Sequence, residues 1–254
     1  MEVMSNVSDS KILAMDTSTG TMTVCLLEGD QAAASVQIQA IRNHSIQLVP
    51  TIQQLLTDTG WSMKQLNAVA VGSGPGSYTG IRIGATVAKT MAWALKLPVI
   101  GVSSLAAMAA PFFKEEQKGW VVPLMDGRRG QAYTALYEAA VPEGSETDGI
   151  RPVNDWLDYL QERLEQEDRK PAWIRFVGET KLFIDLIQQF QSRITAGTQV
   201  WVEESHMDAY YVGLLASKVW SQGKTGEVHS FVPNYTQLAE AEQKLLAKKA
   251  QEDS

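Results

Sequence analysis

Residues 11–39 read KILAMDTSTGTMTVCLLEGDQAAASVQIQ. The pattern of this stretch is the clearest indication of how the first half of the chain folds. Three runs of strand length and strand composition follow one another here, at residues 11–16, 21–27 and 32–39. A Thr/Ser/Gly stretch separates the first two runs, and Glu28-Gly29-Asp30 separates the last two, as is typical of tight turns. The pattern predicts an antiparallel meander of three strands.

After the meander the period of the apolar residues changes. The apolar positions 48, 49, 52, 55 and 56 share one face of a helix that we predict over residues 44–60. Residues 72–80, GSGPGSYTG, are predicted to form a loop. The remaining predicted elements of this half are strands at 67–71 and 98–102 and helices at 81–95 and 104–113.

The second half of the chain repeats this order with a weaker signal. Strands are predicted at 120–125, 132–137, 173–177 and 199–203, and helices at 154–166, 180–190 and 209–220. The polar residues 138–149 are predicted to form a loop, and residues 238–249 a charged terminal helix. A meander with helices and strands, followed by a degenerate copy, predicts a duplicated mixed α/β fold with two lobes. We expect the boundary near residues 103–118, which divides residues 1–105 from 106–254.

Composition limits the possible functions. The chain has 254 residues, a net charge of −7 and a pI of about 5.1. A nucleic-acid binder usually carries a basic face, so we expect any work on RNA to pass through a partner protein. The single cysteine, Cys25, excludes an intrachain disulfide, and residues 1–10 lack the pattern of a signal peptide. These features predict a cytoplasmic protein without a membrane span.

Several common catalytic motifs are missing from the sequence. It contains no G-x-x-x-x-G-K-[ST] loop and no G-x-S-x-G nucleophile elbow. The three histidines, His44, His206 and His229, have neither a second histidine four residues on nor a nearby cysteine. The sequence therefore predicts no compact metal site.

The turn after the first predicted strand is one candidate site. Asp16, Thr17 and Ser18 combine a carboxylate with two hydroxyls, which can contact a hydrated Mg²⁺ and the phosphates of a nucleotide. The same side chains can instead satisfy backbone groups in a tight turn. Both interpretations stay open from the residues alone.

The glycine-rich loop is the second candidate. Gly74 and Gly76 allow a neighbour to approach the backbone closely, and Ser77 or Thr79 can cap the helix that follows. The free N–H groups at such a helix N-terminus suit an anion such as phosphate. The alternative is a tight connection that packs against protein, and the sequence favours neither.

Segments spread over nearly the entire chain resemble, in order, the landmarks of the TsaB (YeaZ) family. They are ILAMDTSTGTMTVCLL, NHSIQLVPTIQQLLTDTGW, VAVGSGPGSYTGIRIGATVAKTMAWALKLPVIGVSSLAAMAA, MDGRRGQAYTALY and FVPNYTQLAEAEQKLL, of which residues 74–104 are the most specific. The resemblance implies the duplicated fold shared by actin, Hsp70 and sugar kinases. It also implies partnership with a related catalytic subunit, TsaD, and a small ATPase, TsaE. Together they transfer threonylcarbamoyl from its adenylate, which a TsaC-type enzyme makes, to the tRNA adenosine beside the anticodon.

Comparison with the catalytic relative implies that this chain is not itself an enzyme. That relative carries a His-x-x-x-His metal motif where this sequence has Ser104 and Met108, and neither has the donor strength of imidazole. Its Ser-Gly-Gly-His-type phosphate loop is replaced by DGRRG at residues 126–130, and Asp208 alone would hold a metal poorly. The resemblance thus implies a scaffold with no intrinsic cofactor, although weak ATP or ADP binding with Mg²⁺ at Asp16 stays open.

In the TsaB family the two helices of the first lobe form the interface with the catalytic subunit and with a second copy of the chain. Here these helices are predicted at 44–60 and 80–95, and tRNA would be reached only through the complex. The candidate interface residues are His44, Leu48, Ile52, Ile83, Ala85, Val87, Ala88 and Met91. Facing the lobe's own core is the alternative for these residues. We expect Ala85 and Ala88 to be exposed, so that a glutamate at either position abolishes pairing.

Three other functions remain as alternatives. A small-molecule kinase of the same fold would need an intact second phosphate loop and a catalytic carboxylate in the cleft. A metalloprotease would need the missing histidine pair. A self-associating homodimer with a regulatory role would bind no TsaD-type partner.

Overall fold

The computed structural model describes residues 10–39, 43–114, 118–139, 141–194, 197–223 and 228–236. The chain begins with the predicted meander, which is confirmed as two antiparallel strand pairs. The elements of the first lobe are β1 (Lys11–Asp16), β2 (Thr21–Glu28), β3 (Gln31–Gln39), α1 (His44–Thr59), β4 (Ala68–Gly72), α2 (Tyr78–Leu95), β5 (Val99–Val102) and α3 (Ser104–Ala109).

The second lobe repeats this order of elements. They are β6 (Gly119–Arg128), β7 (Gln131–Glu138), β8 (Val141–Pro152), α4 (Val153–Gln166), β9 (Trp173–Gly178), α5 (Ile184–Arg193), β10 (Gln199–Glu204) and α6 (Ala209–Ser221). Short 3-10 turns follow α3, at Ala110–Phe112, and precede α5, at Thr180–Phe183. The helix predicted over residues 238–249 lies outside the described residues.

The two lobes have the same topology. Within the described ranges, each contains one five-stranded sheet, ordered β3-β2-β1-β4-β5 in the first lobe and β8-β7-β6-β9-β10 in the second. In both, the first three strands form the meander, and the fourth and fifth run parallel to the first. This repeat confirms the duplicated, two-lobed mixed α/β fold that the resemblance implies.

One predicted loop is wrong, because most of residues 138–149 belong to strands. Glu138 ends β7, and β8 begins at Val141 and pairs with β7 alone. An edge strand has one neighbour and exposes much of its length, so it needs little apolar sequence. The polar composition that suggested a loop is therefore the composition of a sheet edge.

A single apolar core joins the two lobes. It combines residues of the first sheet, such as Ile12 and Leu27, with residues of the second sheet, such as Val121 and Met125. The third helix of each lobe packs on the opposite sheet, since α3 contacts β6 and β7 while α6 contacts β1 and β2. The division at residues 105 and 106 stays a prediction. None of the helices in the described part of the chain is both long and apolar enough to cross a membrane.

Candidate functional site

Asp16 ends β1 and is fully buried. Its Oδ1 accepts hydrogen bonds from the backbone N–H and the hydroxyl of Ser18, both at 2.6 Å, and its Oδ2 accepts one from the Ser104 hydroxyl at 2.6 Å. A side chain at Gly72 would overlap the carboxylate, which explains a glycine at the end of β4. Burial raises the pKa of Asp16, and the hydrogen bonds from Ser104 and Ser18 partly offset this increase.

Thr17 and Ser18 attach the same turn to α2. The Thr17 hydroxyl donates to the Gly80 carbonyl at 2.7 Å and accepts from the Gly84 N–H at 3.1 Å. The Ser18 carbonyl accepts from the Ser77 N–H at 2.7 Å. The turn of residues 16–18, which is the first candidate nucleotide site, is therefore hydrogen-bonded to the N-terminal part of α2.

The glycine-rich loop packs against this turn. A Cβ at Gly76 would overlap the carbonyl oxygen of Ser18, and the φ angle of Gly76 is 147°, a region that favours glycine. Gly74 has a φ of 92°, donates its N–H to the Ser104 hydroxyl at 3.3 Å and lies beside Ile81. Ser77 caps α2, because its hydroxyl accepts a hydrogen bond from the Gly80 N–H. Of the two residues predicted as possible caps, Ser77 is therefore the one confirmed. Ser77 and Gly76 therefore contact the turn directly at Ser18, while Gly74 is joined to Asp16 through the Ser104 hydroxyl.

A cleft of about 500 Å³ opens beside the turn, between the lobes. The first lobe contributes the turn, the start of α1 and the start of α2, and the second lobe contributes the β6–β7 hairpin and Glu179. The lining residues are Thr17, Ser18, Thr19, Gly20, His44, Ser45, Gly76, Ser77, Tyr78, Thr79, Gly80, Ile83, Met125, Asp126, Gly127, Arg128, Tyr133 and Glu179. The cleft presents hydroxyls on the first-lobe side and charged groups on the second-lobe side, together with apolar side chains such as Ile83 and Met125.

The second-lobe wall of the cleft is held by its own hydrogen bonds. The Asp126 N–H donates to Glu179 Oε2 at 2.6 Å, and the Arg128 N–H donates to Asp126 Oδ1 at 2.7 Å. Burial raises the pKa of Glu179, an effect that the Asp126 N–H partly offsets. Arg128 and Arg129 have φ angles of 65° and 54° and lie exposed at the hairpin tip. Sequence reasoning missed Glu179, since it lies 53 residues beyond Asp126.

The positions that the resemblance matches to metal ligands have structural contacts. Ser104 is fully buried against Asp16, while Met108 is 5% exposed and packs in the shared core beside Gly178. Asp208 caps α6, where its side chain accepts from the Tyr210 N–H at 2.9 Å. Among the residues that the structure describes, no three His, Cys, Asp or Glu side chains form a group able to hold a metal ion.

The candidate interface residues divide into two sets. Ile83, Val87 and Met91 are partly buried beside the core of the first lobe. The others are buried within that lobe: His44, Leu48, Ile52, Ala85 and Ala88. The expected exposure of Ala85 and Ala88 is wrong, since they are 5% and 0% exposed and face the core side of α2. A glutamate at either position would therefore disrupt the lobe itself.

Sequence reasoning missed the apolar residues that these helices do expose. Ile46 and Val49 on α1 are 69% and 42% exposed, and Trp93 on α2 is 66% exposed. Ile46 and Trp93 lie outside the apolar positions used to predict the helix faces. Val49 belongs to the predicted apolar face of the first helix with Leu48 and Ile52, and its exposure shows that this placement is wrong. Large exposed apolar side chains on two helices that contact each other are typical of a protein-binding surface.

Comparison with protein families gives a match over most of the chain. Residues 35–245 match the family model described as TsaD, tRNA N6-adenosine threonylcarbamoyltransferase. The protein TsaB of Bacillus subtilis strain 168, named for tRNA threonylcarbamoyladenosine biosynthesis, is 35% identical over 244 residues, which cover 92% of this chain and 97% of that protein. The protein of the same name from Escherichia coli K12 is 35% identical over 159 residues, covering 61% of this chain and 67% of that protein.

A solved structure agrees with these relatives. YeaZ from Pseudomonas aeruginosa superposes with a TM-score of 0.70 at 26% sequence identity. The match covers 89% of this chain and 99% of that one. The two-lobed fold is therefore shared over nearly the whole of both molecules.

Proposed function

The chain belongs to the TsaB family of tRNA threonylcarbamoyladenosine biosynthesis proteins, and from this premise we propose that it acts as a non-catalytic scaffold or activator subunit in that modification. Its catalytic partner would be a TsaD-type protein, which transfers threonylcarbamoyl to the tRNA adenosine beside the anticodon. A TsaE-type ATPase would complete the complex. The chain would reach tRNA through these partners.

One observation carries the non-catalytic part of the proposal. Ser104 stands at a position that the resemblance matches to a metal-binding histidine, and its hydroxyl donates to the buried Asp16 at 2.6 Å. The carboxylate that could hold a cation is therefore engaged by protein donors. The match to a TsaD model does not oppose this reading, since a shared fold does not imply a shared activity.

Without chemistry of its own, the chain would act through a surface, and α1 and α2 supply one. Ile46, Val49 and Trp93 are exposed on these two helices, which contact each other. Ile83, Val87 and Met91 are partly buried on α2. Burial of such side chains in a partner is favourable by about 25 cal/mol per Å² of apolar surface. We propose that this α1–α2 surface, defined by those six residues, binds the TsaD-type subunit, and that it forms a homodimer when that partner is absent.

Binding and turnover measurements separate this proposal from its alternatives. Light scattering of the chain mixed with a TsaD-type protein should give a heterodimer, and the chain alone should hydrolyse no ATP above background. Steady ATP turnover with a sugar or carboxylate acceptor would favour a kinase. A homodimer that persists in excess TsaD-type protein would favour the regulatory role.

A further inference from the structure

Two adjacent serines at the start of α3 are bonded to different lobes. The Ser104 hydroxyl donates to Asp16 Oδ2 at 2.6 Å, and the Ser104 N–H donates to the Gly74 carbonyl at 2.9 Å, so this residue is attached to the first lobe. The Ser103 hydroxyl donates to Asp148 Oδ2 on β8 at 2.6 Å, which attaches its neighbour to the second lobe. The first turn of one short helix thus ties both lobes together.

Each of these attachments is supported by a second group. On the first-lobe side, the other oxygen of Asp16 is held by Ser18, and both Ser104 and Asp16 are 0% exposed. On the second-lobe side, the other oxygen of Asp148 accepts from the Tyr137 hydroxyl at 2.9 Å. Water cannot readily replace the hydrogen bond of the buried Asp16–Ser104 pair, and a low local dielectric strengthens it. The Ser103–Asp148 pair is partly buried.

The apolar packing is continuous around the same point. Leu105 and Met108, on the same helix as the two serines, belong to the core that both sheets share. At the other crossing between the lobes, the Ala209 N–H at the start of α6 donates to the Thr23 hydroxyl of β2 at 3.0 Å. Hinge closure around a ligand requires a few residues that are free to change their dihedral angles. At the start of α3 and at the start of α6, the described residues that join the lobes are hydrogen-bonded and packed.

We propose that Ser103 and Ser104 form an interlobe latch, which keeps the two lobes in one arrangement whether or not Mg-ATP is present. The latch goes beyond the proposed scaffold function, because it concerns the isolated chain. Its consequence is a fixed arrangement of the two lobes, so a partner that contacts both lobes would not have to order them on binding.

Single-molecule energy transfer between the lobes tests the latch. The one native cysteine, Cys25, is buried, so dyes attached to Gln53→Cys on α1 and Gln189→Cys on α5, both exposed positions, report the distance between the lobes. We expect one distance population for the wild-type background, without a shift on addition of Mg-ATP. Ser104→Ala and Ser103→Ala should each add a second population or broaden the first.

A matched control is Ser221→Ala, which removes an exposed hydroxyl that donates to the Lys218 carbonyl at the end of its own helix. It should leave the distribution unchanged. The latch is overturned if Mg-ATP shifts the wild-type distance, or if both latch variants give the wild-type distribution. Should Ser104→Ala fail to fold, the wild-type titration and Ser103→Ala still decide the question.

Discussion

Asp16 has its carboxylate between Ser18 and Ser104, with the Gly72 backbone against one oxygen. A carboxylate in a turn after a strand is a plausible cation ligand in sequence. In the folded chain its donors come from protein, and one of them lies 88 residues away. The turn after β1 could be predicted from the sequence. The Ser104 donor could not, because no local sequence pattern indicates a contact between residues so far apart in the chain.

Replacement of Ser104 by alanine should destabilise the chain. The change leaves one oxygen of a fully buried carboxylate without its donor, and it removes the acceptor of the Gly74 N–H. We expect the free energy of unfolding in urea to fall by roughly 1–3 kcal/mol. Ser221→Ala, an exposed control, should stay within about 0.5 kcal/mol of the wild type. If the two variants lowered the free energy of unfolding equally, the hydrogen bond between Ser104 and Asp16 would be contradicted.

The buried Asp16 should also leave a signature in the pH dependence of stability. Burial raises its pKa above the ordinary 3.8, so the folded chain binds this proton more tightly than the unfolded chain does. The contribution of Asp16 to stability therefore falls as the pH rises from about 3.8 through the folded-state pKa. Urea unfolding at several pH values should show that the stability of the wild type relative to Asp16→Asn decreases with rising pH. A relative stability that increases with pH would contradict the raised pKa.

At the scale of elements, the start of α2 is fixed by its contact with the Asp16 turn. A Cβ at Gly80 would overlap the Thr17 carbonyl oxygen, whereas a Cβ at Gly20 would meet open space. Alanine favours a helix over glycine by about 1 kcal/mol, so helix propensity alone predicts that Gly80→Ala stabilises α2. We expect the overlap to dominate and the free energy of unfolding to fall by about 1–3 kcal/mol.

Gly20→Ala is the control for this prediction, because it adds the same methyl group in the neighbouring turn without a contact. Its free energy of unfolding should change by less than about 0.5 kcal/mol. Gly80→Ala with wild-type stability or higher would mean that α2 is free to move away from the turn.

The α1–α2 surface gives a prediction about binding. Ile46→Glu places a charge on a side chain that is 69% exposed, so the chain should fold normally, while affinity for the TsaD-type partner should fall at least about tenfold. Leu182→Glu makes the same kind of change in the second lobe at a side chain that is 62% exposed. Calorimetric titration should show a loss for Ile46→Glu alone. Equal affinity of the two variants would place the interface elsewhere.

The helices illustrate what an apolar period can and cannot reveal. Four of the five positions predicted on one face of α1 are buried, at 48, 52, 55 and 56, because a shared face on a helix usually faces a core. The fifth, Val49, is 42% exposed, so the prediction is wrong there. Ala85 and Ala88 are equally buried, yet small residues carry too little hydrophobic signal to reveal which side of α2 they occupy. The apolar period of a helix indicates which residues share a face. Which face is exposed depends on the elements that pack against the helix.

In the whole molecule, the duplication explains why the two-lobed fold could be predicted from the sequence and why the edge strand of the second lobe could not. In the first lobe β1 and β2 are buried, and the edge strand β3 alternates between exposed and partly buried residues along its second half, so its meander is clear in the apolar pattern. The second lobe has the same topology, but its edge strand β8 is polar and its sheet is recognisable mainly by the repeated order of elements. The cleft between the lobes combines residues from distant segments, such as Ser77 and Glu179, which only the folded chain brings together.

We propose that this chain is required for threonylcarbamoyl transfer without performing it. The most direct measurement is transfer to unmodified tRNA in a reconstituted system that contains TsaC-type, TsaD-type and TsaE-type proteins, with and without this chain. We expect transfer to depend on the chain, to be absent when the chain replaces the TsaD-type protein, and to be restored less well by Ile46→Glu than by Leu182→Glu. Transfer that proceeds equally well without the chain would contradict the scaffold role.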